Sequence, residues 1–266
     1  MQMNYELLCR ETVNIARETG KFILKECGKR AIDEIKSKGK HNFVTRTDKA
    51  AEKEIIGALQ KLLPESGFIA EEGTSHKKGE RYNWIVDPLD GTTNFIHGAP
   101  PVAVSIALRE DEEIVAGVVY EIFLDECFYA WKGSPAYLNS KTIHVSQAKH
   151  VKDALVATGF PYHNFDRLMP FMQSLEYFFN NTHGVRRMGS AATDLAYVAC
   201  GRYDAFYEYN LNPWDLAAGT FLIQQAGGRS ADFKGGNDYL FGRELVSANQ
   251  TMFDEFLETV GNFMNK

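Results

Sequence analysis

The stretch WIVDPLDGTTNF, residues 84–95, decides how this chain folds. The apolar run Trp84 to Val86 predicts a buried strand, and this strand leads directly into Asp87 and Asp90, which are separated by Pro-Leu. Because proline has a fixed φ and lacks an N–H, the backbone can turn after Asp87 and bring both carboxylates to one point. Since unpaired carboxylates are costly to dehydrate, a buried strand that ends on two of them indicates a site that binds ions or charged groups.

The residues that follow the two aspartates have the chemistry of a phosphate site. Gly91 allows a ligand to approach the backbone closely. If a helix begins at Thr92, the N–H groups of Gly91, Thr92 and Thr93 point outward at its positive end, where phosphate binds readily. The turn after Asp87 can also point the carbonyl oxygen of Leu89 toward a cation bound beside the two aspartates.

Further acidic residues stand where predicted strands end or helices begin. Glu71 follows the apolar run FIA, Asp215 lies in the first turn of a predicted helix, and Asp48 opens an earlier one. Carboxylates delivered to one place by apolar strands predict a magnesium site, because Mg²⁺ prefers oxygen ligands. An acid shared between two cations would form the two-metal arrangement used in phosphoryl transfer.

Each of these acids also has an ordinary structural interpretation. Asp48 can be a helix N-cap, and Glu71 can belong to a solvated acidic turn. Asp215 can complete a capping box with Asn212, in a helix that starts with Pro213. These alternatives stay open for each residue taken alone.

Composition and charge limit the classes of function. The chain has 266 residues, of which 44% are hydrophobic and 24% charged, as in soluble globular proteins. Its net charge of −6 argues against broad binding to nucleic acid or anionic membranes. The first residues are charged, and no apolar run approaches the roughly 20 residues of a membrane span. We therefore expect a cytoplasmic protein with no membrane or nucleic-acid partner.

Apolar periodicity predicts a chain of alternating helices and strands. A helical period covers 4–28, a second helix begins near Thr47, and 101–110 with 113–121 predict a strand hairpin. Residues 133–135 predict a plain turn between strands.

The order of these elements predicts an α/β (layered α+β) fold in which layers of helices and sheets alternate. We expect one domain over 1–266, built from two packed halves at about 1–150 and 151–266. The segment 31–48 lacks a clean period and predicts a mobile or hairpin-like connection.

Four motifs resemble the inositol monophosphatase family of magnesium-dependent, lithium-sensitive sugar phosphatases. They are WIVDPLDGTTNFIHGAP (84–100), NPWDLAAGTFLIQQAGG (212–228), IAEEG (69–73) and VTRTDKAAE (44–52). Their order and spacing follow the family over nearly the whole chain. The resemblance implies the sugar phosphatase fold and two or three Mg²⁺ ions.

The resemblance also implies roles for individual residues. The implied metal ligands are Glu71, Asp87, the Leu89 carbonyl, Asp90 and Asp215. The implied catalytic residues are Glu71 and Thr92, which activate the attacking water, with Asp48 in support. The implied phosphate-binding residues are Gly91, Thr92 and Thr93, and the implied substrate-binding residues are Asp90, Ala191, Glu208 and Asp215. It further implies that Thr158 and Gly159 line the pocket. It implies a homodimer, for which the apolar strands around 102–120 are a candidate interface.

Local sequence narrows the implied substrate to inositol 1-phosphate or a related cyclitol or sugar monophosphate. Thr93 and Asn94 match the inositol-phosphate group, whereas 3′-phosphoadenosine phosphatases usually have Lys-Glu there. Histidinol-phosphate and fructose-1,6-bisphosphate phosphatases carry similar motifs, and both stay open as alternatives, as does a 3′-phosphoadenosine phosphate phosphatase.

Two other classes of function are weighed against this phosphatase. A non-catalytic regulatory or binding protein on the same fold remains an alternative, although the complete ligand set favours an enzyme. A zinc hydrolase is disfavoured, because the candidate ligands are acidic rather than histidine or cysteine.

Overall fold

The computed structural model describes residues 3–27, 46–161 and 164–265, together with the backbone of 36–39 and 42–44. The helices of these residues are α1 (Tyr5–Glu26), α2 (Arg46–Leu62), α3 (Thr92–His97), α4 (Leu168–Asn181), α5 (Ala191–Ala199), α6 (Pro213–Gln225), α7 (Tyr239–Gly242) and α8 (Phe253–Met264), with a 3₁₀ turn at Val151–Asp153. The strands are β1 (Lys36–Gly39), β2 (Asn42–Val44), β3 (Gly67–Ala70), β4 (Tyr82–Asp90), β5 (Ala103–Glu110), β6 (Glu113–Glu121), β7 (Glu126–Trp131), β8 (Ala136–Leu138), β9 (Lys141–Ile143), β10 (Leu155–Thr158), β11 (Gly184–Arg186), β12 (Ala205–Tyr209), β13 (Gly228–Ala231) and β14 (Glu244–Asn249).

Two mixed sheets form the framework. The larger sheet has the order β3-β4-β5-β6-β7-β8-β9, and the smaller has the order β11-β10-β12-β14-β13. In the larger sheet β3 and β4 run parallel while the remaining pairs are antiparallel. In the smaller sheet β10 is parallel to both of its neighbours.

Helices cover both faces of each sheet. Helices α1 and α2 pack on the outer face of the larger sheet, α5 and α6 lie between the two sheets, and α4 and α8 cover the outer face of the smaller sheet. Five layers therefore alternate between helix and sheet, which confirms the predicted fold class.

The central layer explains how the halves are joined. Helix α6 is buried on nearly every side from Leu216 to Ile223, as expected for an apolar helix enclosed by sheets. The same apolar cluster contains Ile85 and Phe128 from the larger sheet, and Phe206 and Leu245 from the smaller one. This shared core supports the proposal that residues 1–266 form one domain of two packed halves.

The structure corrects three details of the sequence analysis. The turn predicted at 133–135 is present, but the short strand β8 that follows it and the single-turn helix α7 were not predicted. Strands β5 and β6 are buried inside the chain between helices, so the candidate dimer interface at 102–120 is wrong. A strand at the centre of a sheet has the same apolar sequence pattern whether helices or a second subunit cover it.

Two other predictions concern the segment 31–48 and membrane spans. Strands β1 and β2 pair as an antiparallel hairpin, as the segment predicts, while 31–35, 40–41 and 45 lie outside the described residues. In the part of the chain that the structure describes, no helix combines the length and apolarity needed to cross a membrane.

Two helical glycines provide a matched test of the packing of α1 on the larger sheet. A Cβ on Gly20 would lie 2.4 Å from Cε1 of Tyr120, whereas a Cβ on Gly57 in α2 would meet nothing within 4 Å. We expect Gly20→Ala to lower the free energy of unfolding by about 1–3 kcal/mol through overpacking. Gly57→Ala should raise it by up to about 1 kcal/mol through helix propensity.

Urea unfolding followed by circular dichroism measures both changes. If both substitutions changed the free energy of unfolding by the same amount and in the same direction, the backbone of α1 would not be packed against Tyr120.

Candidate functional site

A cavity of about 150 Å³ lies where the C-terminal end of β4 meets the N-terminal ends of α3, α5 and α6. The sequence-predicted residues that line it are Glu71, Asp87, Leu89, Asp90, Gly91, Thr92, Thr93, Ala191, Glu208 and Asp215. The cavity is thus shared between the first and second halves of the chain.

The end of β4 has the turn that its sequence predicts. Pairing with β5 shifts register between Asp87 and Asp90, and Oδ1 of Asp87 accepts a hydrogen bond from the Leu89 N–H at 2.9 Å. Gly91 follows with a left-handed φ of 96°, and α3 begins at Thr92. A Cβ at Gly91 would stand 2.8 Å from the Pro101 carbonyl oxygen, so this corner requires glycine.

Asp90 connects this corner to the second half of the chain. Its Oδ2 accepts hydrogen bonds from the Ser190 hydroxyl and from the Ala192 N–H, each at 2.7 Å. Ser190 is itself the N-cap of α5 and accepts from the Thr193 N–H at 3.3 Å. The positive end of α5 therefore faces the Asp90 carboxylate and places Ala191 on the cavity wall.

Asp215 fulfils two predictions together. It forms a capping box with Asn212, whose N–H donates to Oδ2 of Asp215 at 2.7 Å, and Pro213 occupies the first position of α6. The ordinary helix-start interpretation is therefore correct. Asp215 also lines the cavity, since the N-terminus of α6 points into it.

Asp48, a predicted catalytic residue, does not line the cavity but lies behind Thr92. The Thr92 hydroxyl donates to Oδ1 of Asp48 at 3.1 Å, and Asp48 is buried. Because Asp48 is the third residue of α2, it lies inside the helix rather than at its N-cap. Its carboxylate fixes the orientation of the Thr92 hydroxyl at the cavity wall.

The wall from the second half contains Glu208, Gly159 and a residue that was not predicted. A Cβ on Gly159 would lie 2.1 Å from the Glu208 carboxylate, so the glycine makes room for that side chain. Thr158, predicted to line the cavity with Gly159, is instead buried and donates to the Tyr207 carbonyl at 2.6 Å. The buried Asp194 lines the cavity one helical turn after Ser190, a spacing that could have revealed it.

Burial and mutual repulsion raise the pKa values of the clustered acids. Desolvation, followed by the charges of Glu71, Asp90 and Asp215, raises the pKa of Asp87 well above its ordinary value. Desolvation raises the pKa of Asp90 to about 6, although hydrogen bonds from Ser190 and Ala192 oppose the shift. Desolvation and the neighbouring Asp90 raise the pKa of Asp215 to about 7. The cavity therefore concentrates negative charge, which Arg187 on its wall offsets only in part.

The donor set fits a hard divalent cation. The oxygen donors on the cavity wall are the carboxylates of Glu71, Asp87, Asp90 and Asp215 and the backbone of Leu89. Oxygen donors of this kind suit Mg²⁺, and a bound cation would relieve the repulsion that raises the pKa values. Among the described residues no three acidic, histidine or cysteine side chains converge as a ready-made metal cluster, so a cation would have to draw these carboxylates together.

Comparison with known proteins identifies what the chain is similar to. A model of the inositol monophosphatase family matches residues 5–264. The chain is 40% identical over 250 residues to a Nus factor SuhB of Pseudomonas aeruginosa, covering 92% of each protein. It is 39% identical over 244 residues to an inositol-1-monophosphatase of Rhizobium meliloti, covering 91% of this chain and 92% of the relative.

Solved structures agree with these similarities. The extragenic suppressor protein suhB of Bartonella henselae superposes with a TM-score of 0.90 at 36% identity, covering 96% of this chain and 98% of the other. An IMPase of Thermotoga maritima superposes with a TM-score of 0.86 at 33% identity, covering 95% and 96%.

The raised pKa of Asp215 predicts a pH-dependent effect on stability. Its folded-state value of about 7 exceeds the ordinary 3.8, so the folded state holds this proton more tightly and stability falls as pH rises between these values. Asn keeps an oxygen for the Asn212 N–H but carries no charge. Without divalent cations, Asp215→Asn should therefore raise the free energy of unfolding by about 1–3 kcal/mol near pH 7.5 and by little near pH 4.

Urea unfolding in chelator at the two pH values measures this effect, with Asp111→Asn, an exposed aspartate in the turn between β5 and β6, as the control. A gain that is equal at both pH values would contradict the electrostatic cause.

Proposed function

The chain belongs to the inositol monophosphatase family, and we propose that it is a magnesium-dependent phosphatase that hydrolyses inositol 1-phosphate or a related cyclitol or sugar monophosphate. The observation that supports this proposal best is the shared cavity, where four carboxylates and the backbone corner at Gly91 and Thr92 line the same space. Family membership supports the activity of a phosphoric monoester hydrolase, whereas the particular substrate is part of our proposal.

In this proposal the metal ligands are Glu71, Asp87, Asp90, Asp215 and the Leu89 carbonyl, and they hold two or three Mg²⁺ ions. When bound, magnesium supplies a Lewis acid that lowers the pKa of water and neutralises charge on the phosphate. The turn after Asp87 places its carboxylate and that of Asp90 on the same wall, so both can serve neighbouring ions. Their buried, mutually repelling charges give the folded chain a strong electrostatic preference for cations.

Thr92 and Glu71 orient and deprotonate the attacking water. The Thr92 proton is directed to Asp48, which leaves the hydroxyl oxygen able to accept a hydrogen bond from water in the cavity. Glu71 lines the same cavity and supplies the base. Water attacks phosphorus directly as the ester P–O bond breaks, so no phosphoenzyme forms. The leaving alkoxide takes its proton from a nearby water and departs as the free alcohol.

The backbone of Gly91 to Thr93 binds the phosphate. The left-handed Gly91 turns the chain so that α3 starts beside the acidic wall. Because the reaction depends on positioning and charge rather than on a covalent intermediate, this corner is the part of the cavity that aligns phosphorus with the water.

The far wall favours a neutral polyol over a second anionic group. Ala191, Glu208 and the acids Asp90 and Asp215 surround the space beyond the phosphate corner. Carboxyl groups bind hydroxyls well, and on this wall they outnumber Arg187, the side chain whose charge would attract a second phosphate. This wall supports a cyclitol or sugar monophosphate over fructose 1,6-bisphosphate.

We propose a small-molecule phosphate monoester as the partner in solution and a homodimer as the assembly. Several of the relatives are named Nus factor SuhB, a name that describes those proteins. The net charge of −6 disfavours non-specific nucleic-acid binding by this chain. A cytoplasmic location stays a prediction from the sequence.

The first test is phosphate release with Mg²⁺ from inositol 1-phosphate, fructose 1,6-bisphosphate, histidinol phosphate and 3′-phosphoadenosine 5′-phosphate, each with and without lithium. We expect inositol 1-phosphate to lead and lithium to inhibit. Asp90→Asn keeps an oxygen for the Ser190 hydroxyl but removes the charge, and should lower turnover by more than about 100-fold.

Near-full turnover of Asp90→Asn would overturn the metal assignment. Release led by another compound would change the substrate, and no release from any compound by folded protein would favour the non-catalytic alternative.

A second test uses the contact between Gly159 and Glu208. A Cβ at Gly159 must displace the Glu208 carboxylate, so Gly159→Ala should raise KM for inositol 1-phosphate about tenfold, the cost of about one hydrogen bond. KM for glycerol 2-phosphate, which lacks the ring hydroxyls, should change little. An equal rise in KM for both substrates would contradict a role of Glu208 in binding hydroxyls.

A further inference from the structure

We propose that Glu52 is a positioning residue that holds the loop carrying Glu71 against the cavity. The proposal rests on the proposed function only for the role of Glu71 as a metal ligand and base. It rests otherwise on hydrogen bonds between α2 and the loop after β3.

Glu52 is completely buried, and both of its carboxylate oxygens are used. Oε2 accepts a hydrogen bond from the Glu72 N–H and Oε1 accepts one from the Thr74 N–H, each at 2.7 Å. Hydrogen bonds from backbone amides to an ionised carboxylate are short and strong. One side chain therefore binds two alternate amides of the loop that begins at Glu71.

The loop needs this support because the sheet ends there. Strand β3 pairs with β4 up to Ala70, and the last contact along this edge is the Glu71 N–H to the Val86 carbonyl at 3.2 Å. The chain then leaves the sheet through a turn in which Gly73 has a φ of 64°. Beyond Glu71, the Glu52 carboxylate takes the place of a strand as the acceptor for backbone N–H groups.

Glu52 also lies one turn after Asp48 on the same face of α2. Asp48 accepts the hydroxyl of Thr92, while Glu52 accepts the amides next to Glu71. The helix is anchored in the core by Ala51 and Ile55, which are fully buried. A single rigid helix thus sets the relative positions of Thr92 and Glu71, the two residues proposed to activate water.

Replacing Glu52 by Gln would disturb these hydrogen bonds without changing the size of the side chain. The Gln carbonyl can accept one amide, but its NH₂ group would face the other N–H as a second donor. One loop amide would lose its acceptor, and the loop would shift to find another. Changes to residues that orient metal ligands typically weaken metal affinity by about 10–100-fold.

The test measures Mg²⁺ binding by calorimetry and the exchange rates of individual amides by NMR. For Glu52→Gln we expect Mg²⁺ affinity to fall by about tenfold or more, with faster exchange of the Glu72 and Thr74 amides. The matched control is Glu54→Gln, an exposed glutamate on the same helix, which should leave both measurements unchanged. Thr74→Pro removes one N–H from the loop side and should weaken Mg²⁺ binding even if Glu52→Gln does not fold.

These measurements separate the proposal from the proposed function. If the wild-type chain hydrolyses no phosphate ester but binds Mg²⁺ more tightly than Glu52→Gln, the positioning role stands and the function fails. If folded Glu52→Gln binds Mg²⁺ within twofold of wild type, or only its melting temperature changes, Glu52 is structural and the proposal is overturned. The proposal is also overturned if the wild-type chain binds no Mg²⁺.

Discussion

Mutual repulsion among carboxylates at one cavity is the constraint on which the rest of the site depends. Desolvation raises the pKa values of Asp87, Asp90 and Asp215, and the charges of neighbouring carboxylates add to the shift for Asp87 and Asp215. Each is nevertheless held by a backbone N–H: from Leu89 for Asp87, from Ala192 for Asp90 and from Asn212 for Asp215. Local turns and helix ends thus hold together charges that would otherwise separate, at a cost to stability that a bound cation would offset.

The hydrogen bonds that Asp90 accepts also join the two halves of the chain. Asp90 ends a strand of the larger sheet and accepts from the first turn of α5, while Asp215 begins α6, which packs between both sheets. The cavity therefore exists only when the central helix layer is in place. This dependence supports the proposal of one domain with two packed halves, because the site and the shared core both need the central helices.

Much of the fold could be predicted from the sequence, and the failures have identifiable causes. Apolar patterns predict α1 and the strands around 84–121 because burial patterns are local in sequence, and the helix start at Asn212 and Pro213 predicts α6. The short elements β8 and α7 carry too few residues for a period. The candidate interface at 102–120 fails because apolar sequence does not reveal which surface covers it.

The sequence by itself determined the corner at Asp87 to Thr92, since the proline, the glycine and the helix start act within six residues. Only the tertiary structure decided which distant groups complete it. Ser190 reaches Asp90 across 100 positions, and Glu52 reaches the Glu72 amide across 20. Such partners are set by the packing of α5 and α2 against the larger sheet, and hydrogen bonds made through packing leave no local pattern in the chain.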